Sequence, residues 1–272
     1  MSSCIRALYI TVFAGLLGAQ GLAGADLPPS HDASADRRSF GRGGQAGTPP
    51  HDPDALYRDR ENIASAREAA AIWEARLKQD TGDFESAWKL ARAYYWLGGH
   101  GAEDGRKRDL ERGVTAAEHA TALRSDRPDG YFWTAACMGE LAESFGLRQG
   151  LKYRGAIKDA LETVLRIDPA FQQGSADRAL GRWYYKVPGL FGGSRQKSEQ
   201  HLRRSLAYNP NSHSSRFFLA ETLFAMDRDA EAIEELEALL AAPIDPEWAP
   251  EDREFKQKAR ELLAERRESG GR

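Results

Sequence analysis

The 272-residue chain has little cysteine, little net charge and a single long apolar run. Its two cysteines, Cys4 and Cys137, are too few for a disulfide framework. A lone cysteine such as Cys137 is expected to be a small buried side chain rather than a catalyst. Because the net charge is only −3, the protein as a whole is not attracted electrostatically to nucleic acid, and no nucleic-acid partner is predicted.

Familiar catalytic and metal-binding motifs are also missing from the sequence. The histidines at 119, 201 and 213 are isolated, without CxxC, CxxCH or HExxH spacing, so no metal site and no cofactor are predicted. The glycine-rich stretch 189–194 lacks the Gly-Lys-Ser/Thr ending of a phosphate-binding loop. Because no grouping of a nucleophile with a base is found either, the sequence predicts a binding protein and not an enzyme.

The one long apolar run lies in residues 1–25. Arg6 is its only charged side chain, and small residues at 23–25 end it. A basic start, an apolar middle and a small-x-small end are typical of a cleaved signal peptide, so export across the inner membrane to the periplasm is predicted. An uncleaved N-terminal anchor is the alternative, although glycines interrupt the run. The rest of the chain is predicted to be peripheral to a membrane at most.

Residues 26–54 are predicted to be a disordered linker. The segment holds five of the twelve prolines, and Phe40 is almost its only large apolar side chain. Such a composition buries too little apolar surface to offset the entropy of ordering. His31 and His51 lie twenty residues apart in this segment and are expected to be solvated rather than to bind a metal.

From residue 55 to residue 272 the pattern is helical and repetitive. Each unit has a first helix with a small residue after an apolar one, and a second helix with small and apolar residues four apart. Pro128, Pro169 and Pro210 punctuate the units at equal spacings of 41 residues. The pattern resembles the tetratricopeptide repeat (TPR), in which small residues let two antiparallel helices pack closely. It predicts an all-α, TPR-like α-solenoid of about four helix pairs, with capping helices at about 57–79 and 250–268.

Three of the four units are longer than the plain repeat. The small positions of the two helices are twelve residues apart in the last unit, but 25, 18 and 17 residues apart in the first three. The extra residues predict lengthened loops between first and second helices, aligned along one edge of the array. The predicted loops are residues 98–105, 145–150 and 187–194. Slack surface loops are the alternative, but Leu190 and Phe191, which lie between glycines, favour a loop that folds over something.

The same register predicts an inner groove lined by the first helices. Its inward-facing side chains are Trp88, Arg92, Tyr95, Ala136, Glu140, Glu143, Arg178, Arg182, Tyr185, Phe217, Glu221 and Phe224. Arg178 and Arg182, four apart on one helix face with Tyr185 beside them, are suited to grip a carboxylate. Glu140 and Glu143 of the neighbouring unit could pair with these arginines instead. An anionic-ligand site and a salt-bridged lining are therefore both open.

Three stretches resemble a narrower family. They are residues 131–139 (YFWTAACMG), 180–185 (LGRWYY) and 187–194 (VPGLFGGS). They look like the TatT family, TPR-fold components that face the periplasm and are associated with tripartite (TRAP) transporters. The second stretch is also similar to the regulator-of-microtubule-dynamics proteins, and the resemblance spans about residues 77–240.

The resemblance to TatT implies a particular role. The protein would pair with a periplasmic solute-binding protein and help to handle a small organic-acid or hydrophobic ligand. The alternative is a generic TPR adaptor that holds a peptide or a protein partner in the cell envelope. The sequence leaves the oligomeric state open.

Overall fold

A computed structural model describes residues 52–270, in which it has eleven α-helices and one short 3-10 turn. The helices are α1 (Pro53–Arg58), α2 (Ile63–Gln79), α3 (Phe84–His100), α4 (Glu103–Leu123), α5 (Pro128–Ser144), α6 (Leu147–Ile167), α7 (Phe171–Lys186), α8 (Arg195–Tyr208), α9 (His213–Phe224), α10 (Asp229–Ala241) and α11 (Ala249–Gly270), and the 3-10 turn is Gly189–Phe191. The predicted signal peptide, 1–25, and nearly all of the predicted linker, 26–54, lie outside the described residues. No helix within 52–270 is long and apolar enough to span a bilayer.

Helices α3 to α10 form four antiparallel pairs, and each pair packs on the next. The predicted all-α, TPR-like solenoid is therefore confirmed. The front cap differs from the prediction, because α1 and α2 replace a single helix. Asn62 is the N-cap of α2, and its Oδ1 accepts a hydrogen bond from the Ala64 N–H at 3.1 Å, so a helix start separates α1 from α2. The back cap, α11, extends by a few residues beyond its predicted bounds.

The core consists of two apolar clusters that continue from one helix pair to the next. The first runs from α1 to α7 and includes Trp73 and Leu180, and the second joins α8 to α11 and includes Leu202 and Leu236. A Cβ at Gly181 would lie 2.5 Å from Leu202 Cγ, so glycine at this position lets α7 and α8 approach closely. Cys137 is fully buried as expected, and burial raises the pKa of its thiol.

The lengthened loops predicted at 98–105 and 145–150 are wrong, because the extra residues extend the helices. Two residues join α3 to α4, and two join α5 to α6. Gly98 and Gly99 are helical, and a Cβ at Gly98 would lie 2.3 Å from Leu110 Cγ. Gly98 is therefore a point of close helix approach and not a loop residue. The next helix begins with Glu103 and Asp104, which complement the positive end of its dipole.

The third insertion is a true loop, residues 187–194, and its turn lies beside the other two. Lys186 at the end of α7 contacts Glu143 near the end of α5, with 3.5 Å between Nζ and Oε2. Arg106 near the start of α4 contacts Glu140 of α5, with 3.4 Å between Nη2 and Oε1. These contacts place the three turns along one edge of the array, as the repeat register predicts.

Candidate functional site

Arg182 joins three successive first helices in the predicted groove. Its Nε and Nη2 each donate to an oxygen of Glu143 on α5 at 3.1 Å, and its Nη1 donates to Glu221 on α9 at 2.5 Å. Burial lowers the pKa of Arg182, but the two carboxylates outweigh that effect and raise it. Desolvation raises the pKa of Glu143, but Arg182 and Lys186 outweigh it and hold that pKa below its usual value. Arg182 is therefore fully engaged by protein carboxylates.

The other residues of this part of the groove are also paired. Glu140 accepts hydrogen bonds from Ser144 Oγ at 2.7 Å and from Arg106 Nη2 at 3.4 Å. The guanidinium of Arg182 lies 5.8 Å from the ring centre of Tyr185. The salt-bridged lining thus describes Arg182, Glu140 and Glu143 better than an open anion site does.

Aromatic rings enclose Arg92 at the front of the groove. Its Cζ lies 4.1 Å from the ring centre of Tyr57 and 5.0 Å from that of Trp88. Its Nη2 lies 3.5 Å from Asp54 Oδ1, and the Trp88 indole N–H donates to Glu85 Oε2 at 3.0 Å. Cation–π contacts and an ion pair therefore hold this arginine within the chain, and its own side chain fills the aromatic box. Its buried Nε has no hydrogen-bond partner among the described residues.

Arg178, one turn before Arg182, behaves differently. Within residues 52–270 it has no hydrogen-bond or ion-pair partner, although it is partly buried. Burial lowers the pKa of Arg178, and Tyr95, Glu251 and Asp252 oppose that shift only through longer-range electrostatics. Burial also raises the pKa of Tyr95 well above its usual value, and the Tyr95 ring centre lies 5.7 Å from that of Trp133. Arg178 is thus the predicted groove arginine that remains available.

Helix α11 reaches across the groove, a contact that the sequence pattern does not predict. The Phe255 ring centre lies 5.6 Å from that of the predicted groove residue Phe217, and Arg60 Nε donates to Glu251 Oε1 at 3.1 Å. A signal was present in the sequence, since four acidic residues lie within positions 247–254. From the repeat pattern alone, residues 247–254 are expected only to form the polar face of a capping helix.

Large apolar side chains are displayed on the edge that carries the three turns. Leu190 is 89% exposed, Phe191 is 40% exposed and Phe145 is 38% exposed. Leu190 therefore projects into solvent instead of folding over the protein. Phe145 is not among the predicted site residues, and an aromatic residue followed by Gly146 in a turn was the available signal.

The loop that carries Leu190 has a defined backbone conformation. Four backbone hydrogen bonds of 2.8–3.2 Å close it, including Ser194 N–H to Tyr184 O at 2.9 Å. A Cβ at Gly193 would lie 1.7 Å from Val187 O, and Gly192 has a φ of +104°, so the observed path requires both glycines. The alternative of a slack surface loop does not describe this segment.

Basic side chains surround the displayed apolar residues. A cleft of about 440 Å³ lies under the loop, and Lys186, Pro188, Ser194 and Arg195 are among the residues that line it. Lys186 and Arg195 are exposed. We call the set Phe145, Lys186, Leu190, Phe191 and Arg195 the rim.

A comparison with known families assigns the chain. Residues 53–196 match the family model described as Regulator of microtubule dynamics protein 1-3, which is more than half of the chain. The chain belongs to this family. The segment shared with the regulator of microtubule dynamics family covers α1 to α7 and the whole loop at 187–194, whereas α11 lies beyond it.

One solved structure shows a similar fold over most of the chain. TTC0263, a thermophilic TPR protein from Thermus thermophilus, aligns with a TM-score of 0.59 at 21% identity over 78% of this chain and 97% of that chain. MamA from Desulfovibrio magneticus RS-1 aligns with a TM-score of 0.46 at 17% identity over 77% of this chain and 98% of that one. No curated protein matches the chain significantly. The likeness to TTC0263 supports the TPR-like fold.

Proposed function

We propose that this member of the regulator of microtubule dynamics family docks a partner protein through the rim. The observation that carries the proposal is Leu190, a large apolar side chain held in solvent by a loop with a fixed backbone. Large apolar groups displayed together on a soluble protein mark interaction sites more often than single scattered ones do. Because the loop is already ordered, docking would cost little conformational entropy.

The chemistry of the rim indicates the kind of surface that it would contact. Leu190, Phe191 and Phe145 provide apolar contacts, and aromatic residues are enriched among those that dominate interface energies. Arg195 adds positive charge beside them, and Lys186 is a second basic residue there, paired with Glu143. A partner with an apolar pocket and acidic residues around it would match both features.

The state of the groove favours the rim as the docking surface. Arg182 and Glu143 pair with each other, Tyr57 and Trp88 enclose Arg92, and α11 crosses the remaining opening. A ligand entering the groove would have to displace these contacts. The rim is open without any rearrangement.

We propose a periplasmic solute-binding protein as the partner. This part of the proposal rests on the signal-peptide pattern of residues 1–25 and on the resemblance of residues 180–185 and 187–194 to the TatT family. In that role the scaffold would help its partner to handle a small organic acid or a hydrophobic ligand. A different envelope protein bound at the same rim would instead support the generic adaptor.

Co-purification with matched variants tests the proposal. Tagged wild-type chain, Leu190→Asp and Ile244→Asp are expressed in the native host, and bound proteins are identified by mass spectrometry. Ile244 is also an exposed apolar residue, but it lies between α10 and α11 and is not one of the rim residues. We expect wild type and Ile244→Asp to retain one solute-binding protein that Leu190→Asp loses. Equal recovery with all three chains would contradict docking at the rim.

A further inference from the structure

Three acidic residues of α11 each meet a basic residue from a different part of the chain. Glu251 pairs with Arg60 between α1 and α2, Asp252 Oδ1 lies 3.0 Å from His213 Nδ1 of α9, and Glu254 Oε2 lies 3.3 Å from His100 Nε2 of α3. Hydrogen bonding by His100 lowers the pKa of Glu254 to about 2, helped by Lys258 against an opposing effect of desolvation. The start of α11 is therefore held by polar contacts at three separate points, and the contact with Arg60 is an ion pair.

An aromatic contact accompanies these polar contacts. The Phe255 ring centre lies 5.6 Å from that of Phe217 and 5.5 Å from that of Phe218, both on α9. The first turns of α11 thus present carboxylates and one aromatic ring to the groove. We call residues 247–255 the closing segment.

Polar contacts hold the closing segment, whereas apolar packing holds the second half of α11. Ala259 and Leu263 bury the second half of the helix in the core formed with α9 and α10. The chain before the helix, by contrast, contains the exposed residues Pro243 and Pro246. Polar contacts dominate in the closing segment, and segments held by few apolar contacts open at lower free energy than the core does.

The closing segment also leaves groove groups unsatisfied. Arg178 has no hydrogen bond or ion pair within the described residues, and Glu251 and Asp252 act on it only at longer range. His213 is almost fully buried, and its Nε2 has no hydrogen-bond partner there. An occupant with a carboxylate in a slightly different register would gain a pair with Arg178 that α11 does not supply.

We propose that the groove is a binding site for an acidic helix of a partner protein, one that carries an aromatic residue. The closing segment occupies this site as an internal ligand, and the partner helix displaces it. Arg60 and Arg178 supply the positive charges that select acidic residues, His100 supplies a hydrogen bond, and Phe217 and Phe218 receive the aromatic ring. This site is separate from the rim and independent of docking there.

A peptide that copies the internal ligand provides the test. The probe is a fluorescent synthetic peptide with the sequence of residues 246–264, titrated into the full-length chain and followed by anisotropy. In the variant Glu251→Arg, repulsion from Arg60 releases the chain's own closing segment but leaves the groove residues unchanged. We expect at least tenfold tighter binding to Glu251→Arg than to wild type, and no binding of a scrambled peptide. Equal affinity for both chains, or no binding to either, would overturn the proposal.

Exchanging the charges of Arg60 and Glu251 distinguishes a loss of recognition from a misfolded variant. The chain Arg60→Glu is expected to lose the wild-type peptide and to bind a peptide that carries Glu251→Arg. The milder variant Arg253→Glu, which breaks an exposed pair with Glu61, should give a smaller gain in affinity for the wild-type peptide. Failure of the exchanged peptide to bind Arg60→Glu, with the helical circular dichroism preserved, would refute recognition by charge.

Discussion

Arg60 and Glu251 are 191 positions apart in the sequence and form a two-point ion pair that joins the two ends of the repeat array. Arg60 Nη2 also donates to the carbonyl oxygen of Glu247 at 3.0 Å, and the guanidinium stacks near the Trp96 ring, 5.2 Å from its centre. Arg60 is almost completely buried. An open row of helix pairs thus becomes a closed arrangement in which the caps contact each other.

Replacing Arg60 tests how much this closure contributes to the stability of the fold. Arg60→Met should lower the free energy of unfolding by about 2–3 kcal/mol, because it leaves the partly buried Glu251 carboxylate without its partner. Urea denaturation followed by circular dichroism measures the change. Arg58→Met is the control, since Arg58 is 69% exposed and its contact with Asp52 is 3.8 Å long. It should change stability by less than about 0.5 kcal/mol. Equal losses in both variants would mean that the closure is not stabilising.

Two glycines at the same repeat position should respond in opposite directions. A Cβ at Gly181 would lie 2.5 Å from Leu202 Cγ in the core, whereas a Cβ at Gly139 would meet nothing within 4 Å. Gly181→Ala should destabilise the protein by about 1–3 kcal/mol through overpacking. Gly139→Ala should stabilise it by about 0.5–1 kcal/mol, because alanine favours the helix interior. Thermal and urea unfolding measure both changes in stability. If Gly181→Ala and Gly139→Ala changed the unfolding free energy in the same direction, the described packing of the two glycines would be wrong.

The Glu143–Arg182 pair predicts part of the acid sensitivity. The pKa of Glu143 is lower in the folded chain than its usual value, so its ionised form stabilises the fold. This contribution is complete above the ordinary pKa of about 4.3 and is lost as the pH falls through the lowered value. Glu143→Gln should therefore reduce the difference in unfolding free energy between pH 7 and pH 3. Glu118→Gln, at an exposed site on α4, controls for the loss of one carboxylate. An unchanged pH difference in Glu143→Gln would contradict the pairing.

The helix pairs could be predicted from the sequence because each depends on local signals. Apolar periodicity, small residues at contact positions and prolines between units all lie within about 40 residues of one another. The error at Gly98 has a physical origin, since glycine serves both in loops and at points of close helix approach. Only the contact with Leu110 distinguishes the two uses, and that contact belongs to the next helix.

The candidate sites were only partly predictable. The alternation of acidic and basic residues on successive first helices made the Glu143–Arg182 pair one of two open interpretations. The sequence does not show that Arg178 lacks an ion-pair partner. Its pairing depends on which carboxylates of two other helices come within reach of its guanidinium. The closure by α11 depends on the rotation accumulated over all four pairs, so small errors per unit decide whether the ends meet.

Photo-crosslinking from the loop tests the central claim most directly. A photoreactive amino acid replaces Leu190 in one chain and Ile244 in another, and both are irradiated in the native host. Docking at the rim predicts a covalent adduct with one protein from position 190 and none from position 244. An adduct from position 244 alone, or the same adducts from both positions, would contradict it.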